Sequence, residues 1–122
     1  MDIDECALRG ALRATKPSSR IHFVVADFDV GLPILERSIS LAIVVHVVSP
    51  GLLSMVCGTM VIGGYLIYET YGGNGGNYLA LPRPGQIAAE LRANFDFVYY
   101  KETLAGPANE AVTVRCLARR LR

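Results

Sequence analysis

The sequence predicts an open α/β sheet that closes in an antiparallel pair of strands. Three observations lead there. Short β-branched runs alternate with stretches of helical spacing, in the order strand, helix, strand, helix, strand. The run "LAIVVHVV" (Leu41 to Val48) is apolar on both faces, the pattern of a central parallel strand covered by helices on each side. The last two strand-like runs are joined by "TLAGPAN", too short for a helical crossover, so that pair must be antiparallel.

Taken in order, Asp4 caps a helix over "ECALRGALRA", with Leu8 and Leu12 one turn apart and "KPSS" as its stop. "RIHFVVAD" reads as a strand ending at Asp27, and "DFDVGLP" as a loop. "ILERS" is too short to assign. After "LAIVVHVV", Ser49 is placed as a helix cap with Pro50 at the first helical position. Leu52, Leu53, Val56 and Met60 then form one apolar stripe, which Gly63 ends. "GYLIYE" is a short buried strand. Pro84 and Gly85 lead into "QIAAELRA", with Ile87 and Leu91 on one face. "FDFVYYKE" and "EAVTVRCLAR" are the closing strands.

The chain of 122 residues is expected to form a single domain, 1–122, and its 52% apolar content must be buried in a core or in a membrane. A net charge of +1 gives no general pull toward nucleic acid or anionic lipid. The one basic concentration, Arg115, Arg119, Arg120 and Arg122, reads as a solvated strand and tail, and no nucleic-acid partner is expected. Cys6, Cys57 and Cys116 form no CxxC pair; their odd number and apolar neighbours suggest reduced, buried thiols in a cytoplasmic protein. No zinc spacing occurs, and His22 and His46 make no HxxxH pattern, so no metal site is expected. "MDIDE" is acidic where a signal peptide needs a basic start. Ser38 to Tyr68 holds no Asp, Glu, Lys or Arg, with His46 its one basic side chain, and the segment is long enough to span a bilayer, but "SPG" and Gly63-Gly64 interrupt it. A buried strand–helix–strand unit explains it better than a membrane span.

The glycine-rich stretch "GGYLIYETYGGNGGNYLALPRPG" invites a phosphate-binding reading, which fails. A P-loop needs GxxxxGK[ST], and the loop has no lysine. Gly73-Asn74-Gly75 begins a GxGxxG pattern, but its third position falls on Tyr78. About fifteen residues separate the preceding strand from the next helix, too many to place that helix's N-terminus at the strand end. A loop of this length suits a lid or a substrate wall. Polar groups recur instead at the strand ends: Asp2 and Asp4, Asp27 and Asp29, His46, then Glu69 and Thr70. Each has an ordinary alternative (Asp4 as a cap, Asp29 in a turn, His46 as a hydrogen-bonded core histidine), yet their recurrence at one edge of the expected sheet points to a ligand crevice.

Those segments, in that order, resemble the later part of a class I S-adenosylmethionine-dependent methyltransferase, in the broad group that includes tellurite-resistance-type enzymes. "MDIDECAL" is similar to the end of the family's second strand and the following helix, and "IHFVVADFDVGLP" to the third strand with its acidic loop. "SLAIVVHVVSPGLLSMV" resembles the fourth strand and its helix, and "MVIGGYLIYET" the Gly-Gly turn that introduces the fifth. "FDFVYYKE" and "AVTVRCLARR" resemble the closing antiparallel pair. The likeness covers nearly the whole chain. It implies a Rossmann-like methyltransferase sheet, truncated at the N-terminus and mostly parallel, with a C-terminal antiparallel pair.

The resemblance implies S-adenosyl-L-methionine as cofactor and a small-molecule methyl acceptor. It places Asp2 at the ribose hydroxyls with Ile3 beside the adenine, and Asp27 at the adenine amine with Phe28 along the same face. Carboxylates suit these groups because hydroxyls and amines donate hydrogen bonds. Val45, His46 and Val47 face the methionine moiety and the reacting methyl, and His46 is a general base for an acceptor that must lose a proton. Tyr71, Asn74 and Asn77, in the glycine loop, border the acceptor. The family's first strand and GxGxG-type turn have no counterpart here, and Ser40 replaces the acid usual before the fourth strand. A gap between strands two and four then leaves sheet edges through which a homo-oligomer or a partner chain can pair.

Overall fold

The computed structural model describes residues 1–17 and 20–122. They form two compact units, Met1–Pro33 and Ile34–Arg122.

In the first unit, helix α1 spans Glu5–Ala14. Asp4 caps it as expected: its Oδ1 accepts from the backbone N–H of Cys6 (2.8 Å) and Ala7 (3.1 Å), meeting two of the donors a helix start leaves open. Cys6 is exposed, unlike the buried thiol the sequence suggested, because α1 buries none of its residues. The expected strand over "RIHFVVAD" is reduced to one parallel bridge, Asp2↔Val25, since only Asp2 lies beside it. The Asp2 amide donates to the Val24 carbonyl at 3.2 Å, and the Ala26 amide to the Asp2 carbonyl at 2.9 Å. The stop assigned to "KPSS" lies partly outside the described residues, at Ser18 and Ser19.

In the second unit, β1 (Ile39–Val45), α2 (Leu52–Thr59), β2 (Met60–Glu69), a 3₁₀ turn (Asn77–Ala80), α3 (Gln86–Arg92), β3 (Phe95–Ala105) and β4 (Ala111–Arg120) follow in order. The strands make one sheet in the order β1-β2-β4-β3. β1 and β2 are parallel, as a strand–helix–strand unit requires, and the other two pairings are antiparallel.

Both helices that pack on this sheet begin from the same device. In Ser49-Pro50-Gly51-Leu52 the Leu52 amide donates to the Ser49 carbonyl at 3.3 Å; in Arg83-Pro84-Gly85-Gln86 the Gln86 amide donates to the Arg83 carbonyl at 3.0 Å. Gly51 (φ 77, ψ −10) and Gly85 (φ 77, ψ −8) hold the left-handed third position of a type II turn, with proline fixing the second. Helix α2 therefore starts at Leu52, with Gly51 as its cap, instead of at Pro50 with Ser49 capping.

The stripe Leu52, Leu53, Val56 and Met60 is buried as expected, but α2 ends at Thr59, and Met60 already belongs to β2. Gly63 lies inside β2 at φ 82, in a bulge that moves the pairing from Ile39↔Met60 to Leu41↔Tyr65. The backbones approach closely there: a Cβ on Gly64 would lie 3.0 Å from the Ser40 carbonyl oxygen.

One sheet face is buried. Leu66 and Tyr68 on β2 and Val112, Val114, Cys116 and Ala118 on β4 alternate inward, with Leu52, Leu53 and Val56 of α2 and Ile87, Ala88 and Leu91 of α3 also buried. The other face is open. Leu41, Ile43 and Val45 on β1 are 51%, 62% and 44% exposed, and Tyr65, Ile67 and Tyr99 are exposed too. The two-sided burial expected for β1 is thus not met, because it is an edge strand with helices over one face only. Nor is Arg120 solvated. It is buried, and its Nη1 donates to the carbonyls of Cys57 and Met60.

Candidate functional site

In the first unit the bridge sets Asp2 and Asp27 at the ends of two parallel segments. Asp2 Oδ1 accepts from the Asp4 amide at 3.0 Å, and Asp27 Oδ1 from the Asp29 amide at 2.9 Å. The Asp27 carbonyl also closes the turn to Val30 and Gly31, at 3.2 Å each. Each carboxylate is thus oriented through one oxygen, and its Oδ2 has no partner among the described residues. Beside Asp27 lies a shallow hollow of about 430 Å³ lined by Val25, Ala26, Val30, Gly31, Leu32 and Pro33. Apolar walls with one acceptor at the rim suit a flat heterocycle carrying an amine. Ile3 is 63% exposed and Phe28 half-buried.

In the second unit the polar groups gather at the carboxyl ends of β1 and β2. His46 follows β1 rather than interrupting it. At φ 59 it takes the left-handed conformation that ends the strand, while its amide still donates to the Glu69 carbonyl at 2.8 Å. Its side chain is exposed, as is Val45; Val47 is half-buried. The Glu69 carboxylate meets Arg115 at 3.1 Å. Thr70 is buried: its amide donates to the Val114 carbonyl and its Oγ1 accepts from the Val114 amide at 2.9 Å. Glu69, Thr70, Gly72, Lys101, Thr113 and Arg115 contribute to a polar hollow of about 280 Å³.

The glycine loop is tied to the end of the sheet. Tyr71 and Tyr78 pack against Leu81, Ala105 and Ala111. Gly73 sits so close to β3 that a Cβ would lie 2.6 Å from that of Ala105. Asn77 Nδ2 donates to the Gly72 carbonyl at 2.6 Å, and the Asn77 amide to the Asn74 carbonyl at 3.4 Å. Of the loop residues assigned to the acceptor, Tyr71 and Asn77 thus also hold the loop's shape.

A second pocket, of about 360 Å³, was not anticipated from the sequence. Its walls come from the segment after β1 (Val47 to Pro50), α2 (Leu52, Leu53), β2 (Tyr68), the 3₁₀ turn and its exit (Ala80 to Pro82) and α3 (Gln86, Ile87, Glu90). Burial pushes the Tyr68 hydroxyl up to about 12, with the Glu90 charge adding to the shift, and burial also raises the Glu90 carboxyl. Of its lining residues, only Val47 is among the site residues expected from the sequence.

No protein-family model matches the chain, and no curated protein matches it. A crystal structure of a SAM-dependent methyltransferase from Methanosarcina mazei is similar to it, with a TM-score of 0.67 and 16% identity over 98% of this chain and 80% of that one. At that identity the likeness speaks to fold. The fold is the Rossmann-like sheet of class I methyltransferases, with its parallel strand–helix–strand unit and closing antiparallel strands. Among the described residues no helix is long and apolar enough to cross a membrane, and the 38–68 segment is divided between strand, helix and strand.

Proposed function

We propose that the chain serves S-adenosylmethionine-dependent methyl transfer to a small-molecule acceptor. The observation that carries this is the pair Asp2 and Asp27, each oriented through one oxygen and open at the other, on a fold shared with a methyltransferase. When bound, S-adenosylmethionine supplies a methyl group already activated on a sulfonium. The residues of the chain hold and align. Asp2 accepts from the ribose hydroxyls and Asp27 from the adenine amine, while Ile3 and Phe28 offer apolar surface to the ring. Val45, His46 and Val47 are assigned to the methionine moiety. His46, exposed at the end of β1, takes a proton from the acceptor, and Tyr71, Asn74 and Asn77 border it. The unpaired thiols of Cys57 and Cys116 fit a cytoplasmic setting.

Calorimetric titration with S-adenosylmethionine and S-adenosylhomocysteine tests this reading. Micromolar binding is expected, lost in Asp2→Ala and Asp27→Ala. No heat from a folded chain, or unchanged binding in both variants, overturns it.

A second reading rests on β1. Its outer edge pairs with no strand among the described residues, and Leu41, Ile43 and Val45 are exposed on it. On this reading the chain is a non-catalytic relative that pairs with another chain through that edge. A monomer by light scattering at high concentration, together with S-adenosylmethionine binding, removes it.

A further inference from the structure

We infer that the pocket between α2, α3 and the end of β2 is a binding site for a small apolar amine. Its floor and walls are Val47, Leu52, Leu53, Leu81, Pro82 and Ile87, and its volume of about 360 Å³ lies within the range of small-molecule sites. Of its polar lining residues, Ser49, Tyr68, Gln86 and Glu90, two point the chemistry.

Tyr68 is 2% exposed, yet its hydroxyl has no hydrogen-bond partner among the described residues. A phenol that deep in a core ordinarily finds one, so a hydroxyl facing the cavity asks for a ligand atom or a water. Glu90 stands at the rim, without an ion-pair partner among the described residues. No lysine, arginine or histidine lines the pocket. An entering carboxylate or phosphate would meet the Glu90 charge with no cationic side chain opposite it. An ammonium donates to the Glu90 carboxylate and to the Tyr68 oxygen, while its apolar body fills the space between the helices.

Among the described residues no fully buried side-chain polar atom lacks a partner, so the Tyr68 hydroxyl keeps some surface open to the cavity it lines. The pocket shares Val47 with the residues assigned to the methionine moiety, but the inference rests on the cavity and its polar groups and not on that assignment.

The test uses the full chain and three probes of one shape: phenethylamine, 2-phenylethanol and phenylacetate, followed by amide chemical shifts. The amine should shift resonances of Leu53, Leu81, Ile87 and Glu90, and bind at least tenfold more tightly than the carboxylate, with the alcohol between. Glu90→Gln keeps the size of the rim residue and should reduce the preference for amine over alcohol to less than threefold. Tyr68→Phe should weaken amine and alcohol alike. Equal binding of amine and carboxylate, shifts confined to other parts of the chain, or wild-type binding in both variants would each overturn the inference. Phenylacetate binding as the tightest of the three would invert it.

Discussion

Replacing Arg120 by alanine should cost about 3 kcal/mol of stability, far more than an ordinary change near the end of a chain. The guanidinium is 8% exposed and is held by carbonyls: Nη1 donates to those of Cys57 and Met60, and Nε to that of Arg122 at 2.9 Å. The Cys57 carbonyl belongs to the last turn of α2, where the helix dipole is negative, and it accepts from the Met60 amide as well as from Arg120. Met60, the next residue but two, begins β2 and is fully buried. Arg120 on β4 therefore fastens the corner where helix becomes strand. Alanine removes the side-chain donor from the Met60 carbonyl, worth roughly 1–3 kcal/mol, and one of the two donors from the Cys57 carbonyl, which keeps the Met60 amide. With the lost stem packing, these give the figure quoted.

At this chain length about 1 kcal/mol corresponds to roughly 4 °C, so the Tm should fall by about 12 °C. Thermal and urea unfolding followed by circular dichroism read both quantities. Arg120→Met restores the stem without the donors and should recover less than half of the loss. Arg119→Ala, at the exposed neighbour, should stay within about 0.5 kcal/mol of wild type. If Arg120→Ala and Arg119→Ala prove equally mild, the buried cation does not hold the corner and the reasoning fails.

Gly73→Ala should destabilise by about 1–3 kcal/mol, since its Cβ would meet that of Ala105 at 2.6 Å; Gly76→Ala, with open space around it and φ −86, should be near neutral in the same urea titration. Native protein should give up one thiol to a disulfide reagent at pH 8, Cys6, while Cys57 and Cys116 react only after unfolding; mass mapping of two or more labelled native sites would refute the assigned burial. Stability should also fall in alkali. Burial holds the Cys116 thiol up to about 11 and the Tyr68 phenol up to about 12, and raises Tyr100 further. The unfolded chain releases these protons first, from about pH 9 for the thiol and about 10 for the phenols, so it binds fewer protons than the folded chain over that interval. The urea midpoint should hold level to about pH 8.5 and drop between about 9 and 12, less steeply in Tyr68→Phe; a flat profile to pH 11 would count against it.

The parts of the fold legible in the sequence were those fixed by short-range constraints. The Asp4 cap, the turn from Pro84-Gly85 into Ile87 and Leu91, and the antiparallel closing pair each follow from a few adjacent residues. The start of α2 is ambiguous in sequence because Ser49-Pro50 satisfies a rule for helix caps while Pro50-Gly51 satisfies a rule for type II turns. Gly51 at positive φ shows which won, and the same dipeptide before α3 obeys the same rule. Site legibility followed the same division. Asp2 and Asp27 were singled out through strand ends and a family resemblance, but the bridge between Asp2 and Val25 is a long-range pairing that no local pattern announces. Tyr68 and Glu90 carry no local signal, because their pocket draws on separate segments spread over 47–90, none with a motif of its own.

β1 is where sequence and structure pull furthest apart. Its residues, Ile39 to Val45, contain no charge and no proline, the features that usually keep an edge strand from pairing. A strand with such a composition is suited to burial on both faces. In the second unit it has β2 on one side and an open edge on the other, with Leu41, Ile43 and Val45 exposed. Hydrophobic periodicity reports that a residue is to be covered; it does not report by what. The parallel register with β2 is set by six paired residues and by the bulge at Gly63-Gly64, so the strand is held in place without its outer neighbour. That separates two properties the sequence merges: β1 is positioned by β2 and left unsatisfied at its edge. A charge introduced there, Ile43→Lys, should therefore leave the monomer's stability nearly unchanged while abolishing any association through that edge. Association that survives the lysine would locate the contact on another surface.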